Sequence, residues 1–375
     1  MSVVHVLPAA ETEQAHIKFK QVGNTYRAPF VIYADFELIR EPMERRVKMT
    51  LFNQQQKISA ACAMLVSNVP AVPTQTWVSI GENALREFLN TLIDWERMCI
   101  DYLNNNVTMN RLSRANREEF DNATHCHICR KPYERDQNPK GPKVSDHDHV
   151  TGWFIAAAHQ QCNLQRSVNY QIPVFFHHLR GYDSHLIVHE FPNIQDRKLK
   201  VINQNMEKYF RVQCGPNIVF RYSLQFLIFS LDSLVKSLAK TGRQNFFLLH
   251  DTMQNFYPEA MDEMVQLVEQ KGVFGYDYID KFERLDESAL TPREHFYNRL
   301  AGEDCSKAYY ARAQRVWRDF KFQHIGDYMR LYLLSDVALL ADVFQMFRYN
   351  TLDEYQLDPA YYMSAPQLAW NALLK

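Results

Sequence analysis

The hydrophobic pattern is strongest near residue 30, where the unbroken run Phe30-Val31-Ile32-Tyr33-Ala34 leads into Asp35-Phe36-Glu37-Leu38. A short aromatic and β-branched run of this kind predicts a buried central strand. Residues 1 to 27 before it carry no clear period. Lys57 to Asn68 predicts a second strand, closed by a loop at Pro70 and Pro73. Ser79-Ile80-Gly81-Glu82 has capping-box spacing, and Leu85, Phe88, Leu89, Leu92, Ile93, Cys99, Ile100 and Leu103 then recur near helical spacing. The polar, Arg-rich stretch from Arg111 to Asn122 reads as a linker. Further on, Ile172 to Phe176 predicts a strand that exits into a helix beginning at Asp183. Three β-like segments follow, near Leu199 to Gln204, Tyr209 to Gln213 and Ile218 to Phe226, and a helix starts at Ser230-Leu231. Late in the chain, Gly326 to Val343 reads as a helix with Tyr332, Asp336, Leu339 and Val343 on one face.

Composition narrows the class. With 375 residues, 46% of them hydrophobic, the chain can bury a sizeable core and predicts about two domains. Its longest apolar runs fall well short of the ~18 residues that a membrane span needs, and the N-terminus, with His5, Glu11 and Glu13, lacks the shape of a signal peptide. The expectation is a soluble, intracellular protein with no membrane partner. A net charge of -1 gives no global basic field, so contact with nucleic acid would come from local grooves and metal ions. Of the seven cysteines, three crowd between residues 126 and 162, which fits a metal site better than a disulfide framework.

Several of these residues carry chemistry. Strand side chains alternate, so Asp35 and Glu37 share a face, and two anions held that close repel unless cations sit between them. An edge strand whose polar end reaches solvent would carry the same pair. Asp183 lies at the exit of a hydrophobic strand, where α/β sheets place their sites, although an N-cap needs the same residue. Asp336 lies on an apolar stripe, and burying an unpaired carboxylate costs several kcal/mol, so a compensating cation or donor is implied. Tyr332, one turn earlier, can reach it. Cys126-x-x-Cys129 and His159-x-x-Cys162 supply the ligand set of a closed tetrahedral Zn²⁺ site, in a segment with too little core to fold well without a staple. Coincidental buried cysteines would leave both two-residue gaps unexplained.

Between the two pairs lies Ser145-Asp146-His147-Asp148-His149-Val150-Thr151-Gly152, and Asn163 follows Cys162 directly. This segment resembles the finger of phage recombination endonuclease VII and its relatives in the HNH group. The resemblance implies Asp146 and Asn163 as ligands of a catalytic Mg²⁺, His147 as the base activating water, and His149 as a supporting contact. The same residues could instead brace the finger through hydrogen bonds, and both readings stand open. Here His159 replaces a cysteine of the phage enzyme, and Gln165-Arg166 lies near the place of its further acidic residue.

Across the whole chain, D-x-E on a strand, an Asp after a second strand and Y-x-x-x-D on a late helix resemble the three exonuclease motifs of family B DNA polymerases. Phe176 to Ile187, Lys271 to Asp280 (KGVFGYDYID) and Asp327 to Arg348 resemble the protein-primed branch found in Polinton or Maverick elements and related viruses. The resemblance implies an α/β, RNase H-like exonuclease fold over residues 28–117 and 169–375, interrupted at 118–168 by a small ββα-type zinc finger. It implies 3′–5′ proofreading hydrolysis of single-stranded or primer-terminal DNA, with Asp35, Glu37, Asp183 and Asp336 holding two Mg²⁺ or Mn²⁺. Tyr332 would orient the attacking water and Lys271 would touch the terminal phosphate, while Phe176, His178, Ser230 and Leu231 would contact DNA. Further implied partners are branched DNA, a polymerase domain and a protein primer, at the nucleus or a viral replication site.

Two positions depart from that family. His178 stands where it has Asn, and Tyr222 where an Asp usually precedes the residue here at Ser223. No palm segment occurs before Lys375, so these residues alone are expected not to polymerise. Two rival readings remain: a DNA-binding module built on a degenerate exonuclease, and a structure-selective endonuclease working through the finger.

Overall fold

The apolar run at Phe30 becomes strand β1 (Phe30–Val47), and Val31, Ile32, Tyr33 and Ala34 are each 0% exposed, as in a strand covered on both faces. It pairs antiparallel with β2 (Thr50–Ser67), which pairs antiparallel with β3 (Gln75–Ile80). Helix α1 (Ala84–Asn104) follows, then α2 (Arg114–Asn122), the hairpin of β4 (Lys143–His147) and β5 (Phe154–His159), and α3 (Gln160–Leu164). The chain continues through β6 (Ile172–Phe176), α4 (Asp183–Glu190), β7 (Leu199–Asn203), β8 (Tyr209–Cys214) and β9 (Ile218–Tyr222). The remainder is helical: α5 (Leu231–Ala239), α6 (Phe247–Phe256), α7 (Asp262–Val268), α8 (Lys307–Asp319), α9 (Ile325–Tyr355) and α10 (Ala365–Leu374). The computed structural model describes residues 17, 19–47, 50–69, 71–105, 107–133, 140–148, 151–164, 171–178, 183–191, 194, 197–203, 209–297 and 302–375. Within these, the side chains of 42–47, 50–55, 183 and 210 lie outside the description.

The chain divides into two compact units. One takes residues 29–100 and 171–349, the other residues 1–28, 101–170 and 350–375. The segment expected as a finger, 118–168, lies inside the second, which also takes in 101–117 and 350–375.

The larger unit is an α/β core on a mixed sheet with strand order β3-β2-β1-β6-β9-β8-β7. β6 runs parallel to both β1 and β9, and the other neighbours are antiparallel. Alternation along β1 sorts its side chains to two faces. Phe36 packs with Phe88 of α1 and Phe176 of β6, while Tyr33 packs with Phe175 and with Phe344 of α9. Asp35 and Glu37 therefore share the α9 face. A register shift between Glu37 and Leu38 bends the strand just beyond them. Helix α9 is buried from Leu331 to Gln345 without a break, so it is not a surface helix with one apolar stripe but a central one.

Two local expectations give way. Ser79 and Ile80 do not cap α1, because Gln75 to Ile80 extend the sheet along β2; the helix begins at Ala84. The Arg-rich stretch is not a linker throughout, since Arg114 to Asn122 form α2. Ser113 Oγ accepts the Asn116 amide at its start, and Lys143 Nζ donates to the Asp121 and Ala123 carbonyls at 3.1 and 2.8 Å at its end. In the same unit, buried Asp358 accepts the Ala28 and Ala360 amides at 2.7 and 2.9 Å, joining the chain ahead of β1 to that after α9.

Candidate metal centre and carboxylate cluster

The smaller unit holds the candidate metal centre. One ligand atom from each of Cys126, Cys129, His159 and Cys162 lies within 4.8 Å of the other three. Among the described residues this is the one such group of three or more ligating side chains. His159 Nδ1 lies 3.4 Å from Cys129 Sγ and 4.0 Å from Cys162 Sγ, and the His159 amide donates to Cys126 Sγ. The first pair sits in a tight turn closed by Arg130 N to Cys126 O and Cys126 N to Lys131 O, both 2.9 Å, with Arg130 at a positive φ of 58°. The second pair comes from the end of β5 and from α3.

Burial opposes ionisation of Cys129, yet hydrogen bonds from the Lys131 amide, His159 and the neighbouring thiols bring it down to about 6. Burial, its hydrogen bond to Cys129 and repulsion from Cys126 and Cys129 push Cys162 up to about 12. Thiols packed this tightly ionise together only around a cation. Three soft sulfurs and an imidazole at this spacing fit zinc.

Asp146 lies on β4, 0% exposed. His127, between the two turn cysteines, donates Nε2–H to its Oδ2 at 2.9 Å, and the Tyr26 hydroxyl reaches the same oxygen at 3.4 Å. His147 is the next residue on β4, past a register shift, and Asn163 lies in α3 with a buried Oδ1 that has no hydrogen-bond partner among the described residues. His149 lies outside the described residues. The aspartate is thus tied to the zinc turn itself.

The larger unit gathers the carboxylates. Asp336, 2% exposed on α9, accepts a hydrogen bond on Oδ2 from the Lys271 ammonium, and its buried Oδ1 has no partner among the described residues. Lys271 Nζ also donates to the Tyr332 hydroxyl at 3.1 Å, which lies 2.7 Å from the hydroxyl of Tyr276. Burial alone would discharge Lys271, but Asp336, Tyr276 and Asp35 outweigh it and hold the ammonium above the ordinary lysine range. Burial, with the charges of Asp336 and Glu37, pushes the Tyr332 phenol well up, so it keeps its proton; burial and Glu37 do the same for Tyr276. Asp35 and Glu37 from β1, Asp336 and Tyr332 from α9, and Lys271 and Tyr276 from the segment before α8 are thereby one electrostatic group.

The segment carrying Lys271 is pressed onto α9. A Cβ on Gly272 would sit 2.8 Å from the Tyr332 ring, Tyr328 donates to the Val273 carbonyl at 2.8 Å, and Arg312 donates to the Lys271 carbonyl at 2.5 Å. β1 and β6 are adjacent and parallel, with Tyr33 opposite Phe175, so the carboxyl end of β6 lies beside Asp35 and Glu37; α4 opens later in the chain, at Asp183. The Asp183 side chain lies outside the described residues.

The expected DNA contacts fare differently. Phe176 is 1% exposed, wedged among Phe36, Phe88 and Phe220, and Leu231 is buried as the first residue of α5, so neither offers a face to a base. Ser230 is exposed, but its hydroxyl accepts the Ser233 amide as the N-cap of α5. His178 is exposed just past β6. Tyr222 is buried and donates to the Tyr209 carbonyl at 3.0 Å.

Four residues not singled out as site residues in the sequence belong to these groups or their supports. Tyr276 stood inside KGVFGYDYID with no role of its own, and His127 sat unnoticed between two ligands. His177 bridges Ser223 and the Phe229 carbonyl. Asp342 on α9 accepts the Leu248 and Leu249 amides at 2.8 and 3.0 Å, capping α6, whose own N-cap residue Phe246 has no capping side chain.

No helix among the described residues is long and apolar enough to cross a membrane. No family model, no curated protein and no solved structure matches this chain.

Proposed function

We propose that residues 29–100 and 171–349 form a divalent-metal-dependent 3′–5′ exonuclease, the proofreading part of a family B DNA polymerase of the protein-primed kind. The observation that carries this reading is the convergence of Asp35, Glu37, Tyr332, Asp336 and Lys271, from three distant stretches of chain, around one buried carboxylate. An RNase H-like fold is supported by the sheet, in which the D-x-E strand has an antiparallel neighbour on one side and parallel strands on the other. When bound at Asp35, Glu37, Asp183 and Asp336, two Mg²⁺ or Mn²⁺ would supply an acidic water and charge stabilisation on the phosphate. Tyr332, neutral and fixed by Lys271 and Tyr276, orients that water through its hydroxyl. Lys271 offsets charge that develops on the scissile phosphate.

The test is hydrolysis of a 3′-terminated single-stranded oligonucleotide with Mg²⁺ or Mn²⁺. Replacing Asp35 and Glu37 together by Ala should slow it at least ~10³-fold while the fold persists. A double variant that degrades the oligonucleotide at the parent rate would remove the assignment.

For the finger, the binding of Asp146 by His127 favours a zinc-stapled brace and DNA clamp over a second nuclease. In the Asp35→Ala, Glu37→Ala background, branched duplex should bind and stay intact. Nicking that disappears on Asp146→Ala or His147→Ala would make the finger an endonuclease.

A further inference from the structure

The polar stretch ahead of α2 is pinned to the turn of the β4–β5 hairpin. Asn110 N donates to the Gly152 carbonyl at 2.7 Å, and Asn110 Nδ2 donates to the Thr151 carbonyl at 3.1 Å. Gly152, at a φ of +72°, permits this approach, since a Cβ there would meet the Thr108 carbonyl oxygen at 2.7 Å. The turn is itself closed: the Gly152 amide donates to the Asp148 carbonyl at 2.7 Å, and the Asp148 amide to the Trp153 carbonyl at 2.8 Å. Phe154, next on β5, packs edge-on against Phe120 of α2, and Ser113 Oγ caps that helix.

These elements enclose a pocket of about 350 Å³ in the smaller unit, lined by Arg111, Ser113, Asn116, Trp153 and Phe154 among others. That volume lies within the ~300–1,000 Å³ of small-molecule sites. Trp153 lines it while 66% exposed. Large apolar side chains standing singly in solvent are common, but this one shares its pocket with a cation. Arg111 is exposed and has no ion pair among the described residues, whereas Arg114 is paired with Glu118 at 3.0 Å. The half-buried Asn116 carboxamide likewise makes no hydrogen bond among the described residues. An aromatic face, a guanidinium without a carboxylate and an amide that both donates and accepts match the three parts of a nucleotide: stacking surface, phosphate and base edge. An apolar peptide side chain would leave Arg111 unused, and an acidic one would leave the indole bare.

We propose that this pocket takes one unpaired nucleotide of DNA, with its base stacked on Trp153 and its phosphate held by Arg111. The assignment rests on reading the smaller unit as a DNA clamp and states what that clamp selects. Drawing a base out of a helix costs least when the base has no partner, so the pocket favours duplex interrupted by an unpaired base over continuous duplex.

The test uses the whole chain with zinc, without Mg²⁺ or Mn²⁺, and two duplexes whose ends are closed by polyether loops, so that neither carries a 3′ end. One duplex is continuous and the other has a single bulged nucleotide; Kd is read by anisotropy of a dye on one loop. The parent should prefer the bulged duplex. Trp153→Ala should weaken binding of that duplex about 5- to 150-fold and leave the continuous one unchanged, while Trp153→Phe keeps the preference. A bulge lacking its base should bind as the continuous duplex does. Arg111→Gln should weaken the bulged duplex and reduce the salt dependence of its binding by about one ion. Both side chains are exposed, so zinc content and melting curve should match the parent and show that the variants fold. If Trp153→Ala keeps the preference for the bulge, or the parent binds duplex without any preference, the pocket is overturned while the clamp stands. If the parent binds neither duplex, clamp and pocket fall together.

Discussion

Lys271→Met should destabilise the larger unit much more than Asp336→Asn, although both break the same ion pair. The pair is lopsided: Asp336 is 2% exposed and Lys271 31%. Removing Lys271 leaves a carboxylate inside α9's packing with one oxygen already unpartnered. Losing one member of a buried pair costs about 3–5 kcal/mol, and the partial exposure of Lys271 places this case near the lower end, about 3 kcal/mol. Asp336→Asn leaves an ammonium that reaches water on its open side and an amide oxygen that still accepts from it. That change should cost about 1 kcal/mol. Divalent cations then separate the readings. If the carboxylates hold Mg²⁺ or Mn²⁺, the Lys271→Met chain should regain stability by ~1.4 kcal/mol for each tenfold rise of metal above its Kd. Asp336→Asn should regain far less. Denaturant midpoints of the whole chain, followed by fluorescence at increasing Mg²⁺ or Mn²⁺, measure this without any catalytic assay. Equal losses in the two variants, with midpoints indifferent to either metal, would refute both the buried-carboxylate argument and the metal site built on it.

Cys126→Ser should lower the zinc content from one ion per chain and loosen residues 125 to 166, as judged by metal analysis and hydrogen exchange, while exchange in β1 and β6 stays slow; undiminished zinc would mean that another ligand set holds it. Tyr276→Phe removes one hydrogen bond from the Tyr332 hydroxyl, worth ~1 kcal/mol, and should lower kcat several-fold to ~10-fold with KM unchanged; a loss confined to KM would place Tyr276 in binding instead. Burial, opposed by the two amides it caps, raises the Asp342 carboxyl to about 7. Its folded value lies above the ordinary ~3.9, so its contribution to stability is complete below about pH 4 and is lost as pH rises through about 7. The stability of the parent relative to Asp342→Asn should therefore fall between pH 5 and pH 8, and a constant difference would contradict the raised value.

The parts of this architecture that announced themselves in the sequence are those whose pattern is local. Asp35 and Glu37 share a face because strands alternate, and a run as apolar as Val31 to Ala34 has no other place than the middle of a sheet. The zinc ligands come in two tight pairs, each fixed by one turn. What could not be read depends on partners far away in the chain. α6 has no cap of its own because Asp342 supplies one across 94 residues, and a capping rule sees only neighbours. Ser79 looked like a cap because the pairing of Gln75 to Ile80 with β2 is invisible to spacing. Phe176 reads as a DNA contact from the sequence because its burial under α1 depends on Phe36 and Phe88, more than eighty residues earlier. The apolar stripe around Asp336 implies its burial but not its partner: α9 is buried all round from Leu331 to Gln345, so the partner comes from Lys271 rather than from a polar side of the helix.

Under the proposed function, the cysteine cluster and the carboxylate cluster would be filled by cations in different ways. In the finger, three soft sulfurs and an imidazole face one another within 4.8 Å with no cationic side chain among the ligands, and the fold of a short segment depends on them. Such a site binds once and keeps its ion. In the carboxylate cluster a lysine already satisfies half of Asp336, and the cluster's strands and helix are held by an extensive core of their own. An incoming divalent ion must compete with that ammonium, so its binding gains only the difference between two cations at the same oxygen. Chelation should accordingly empty the carboxylates at concentrations that leave the zinc in place. Under the proposed function the metal at the phosphate is the exchangeable one, and Lys271 offsets the charge of Asp336 whenever that metal is gone.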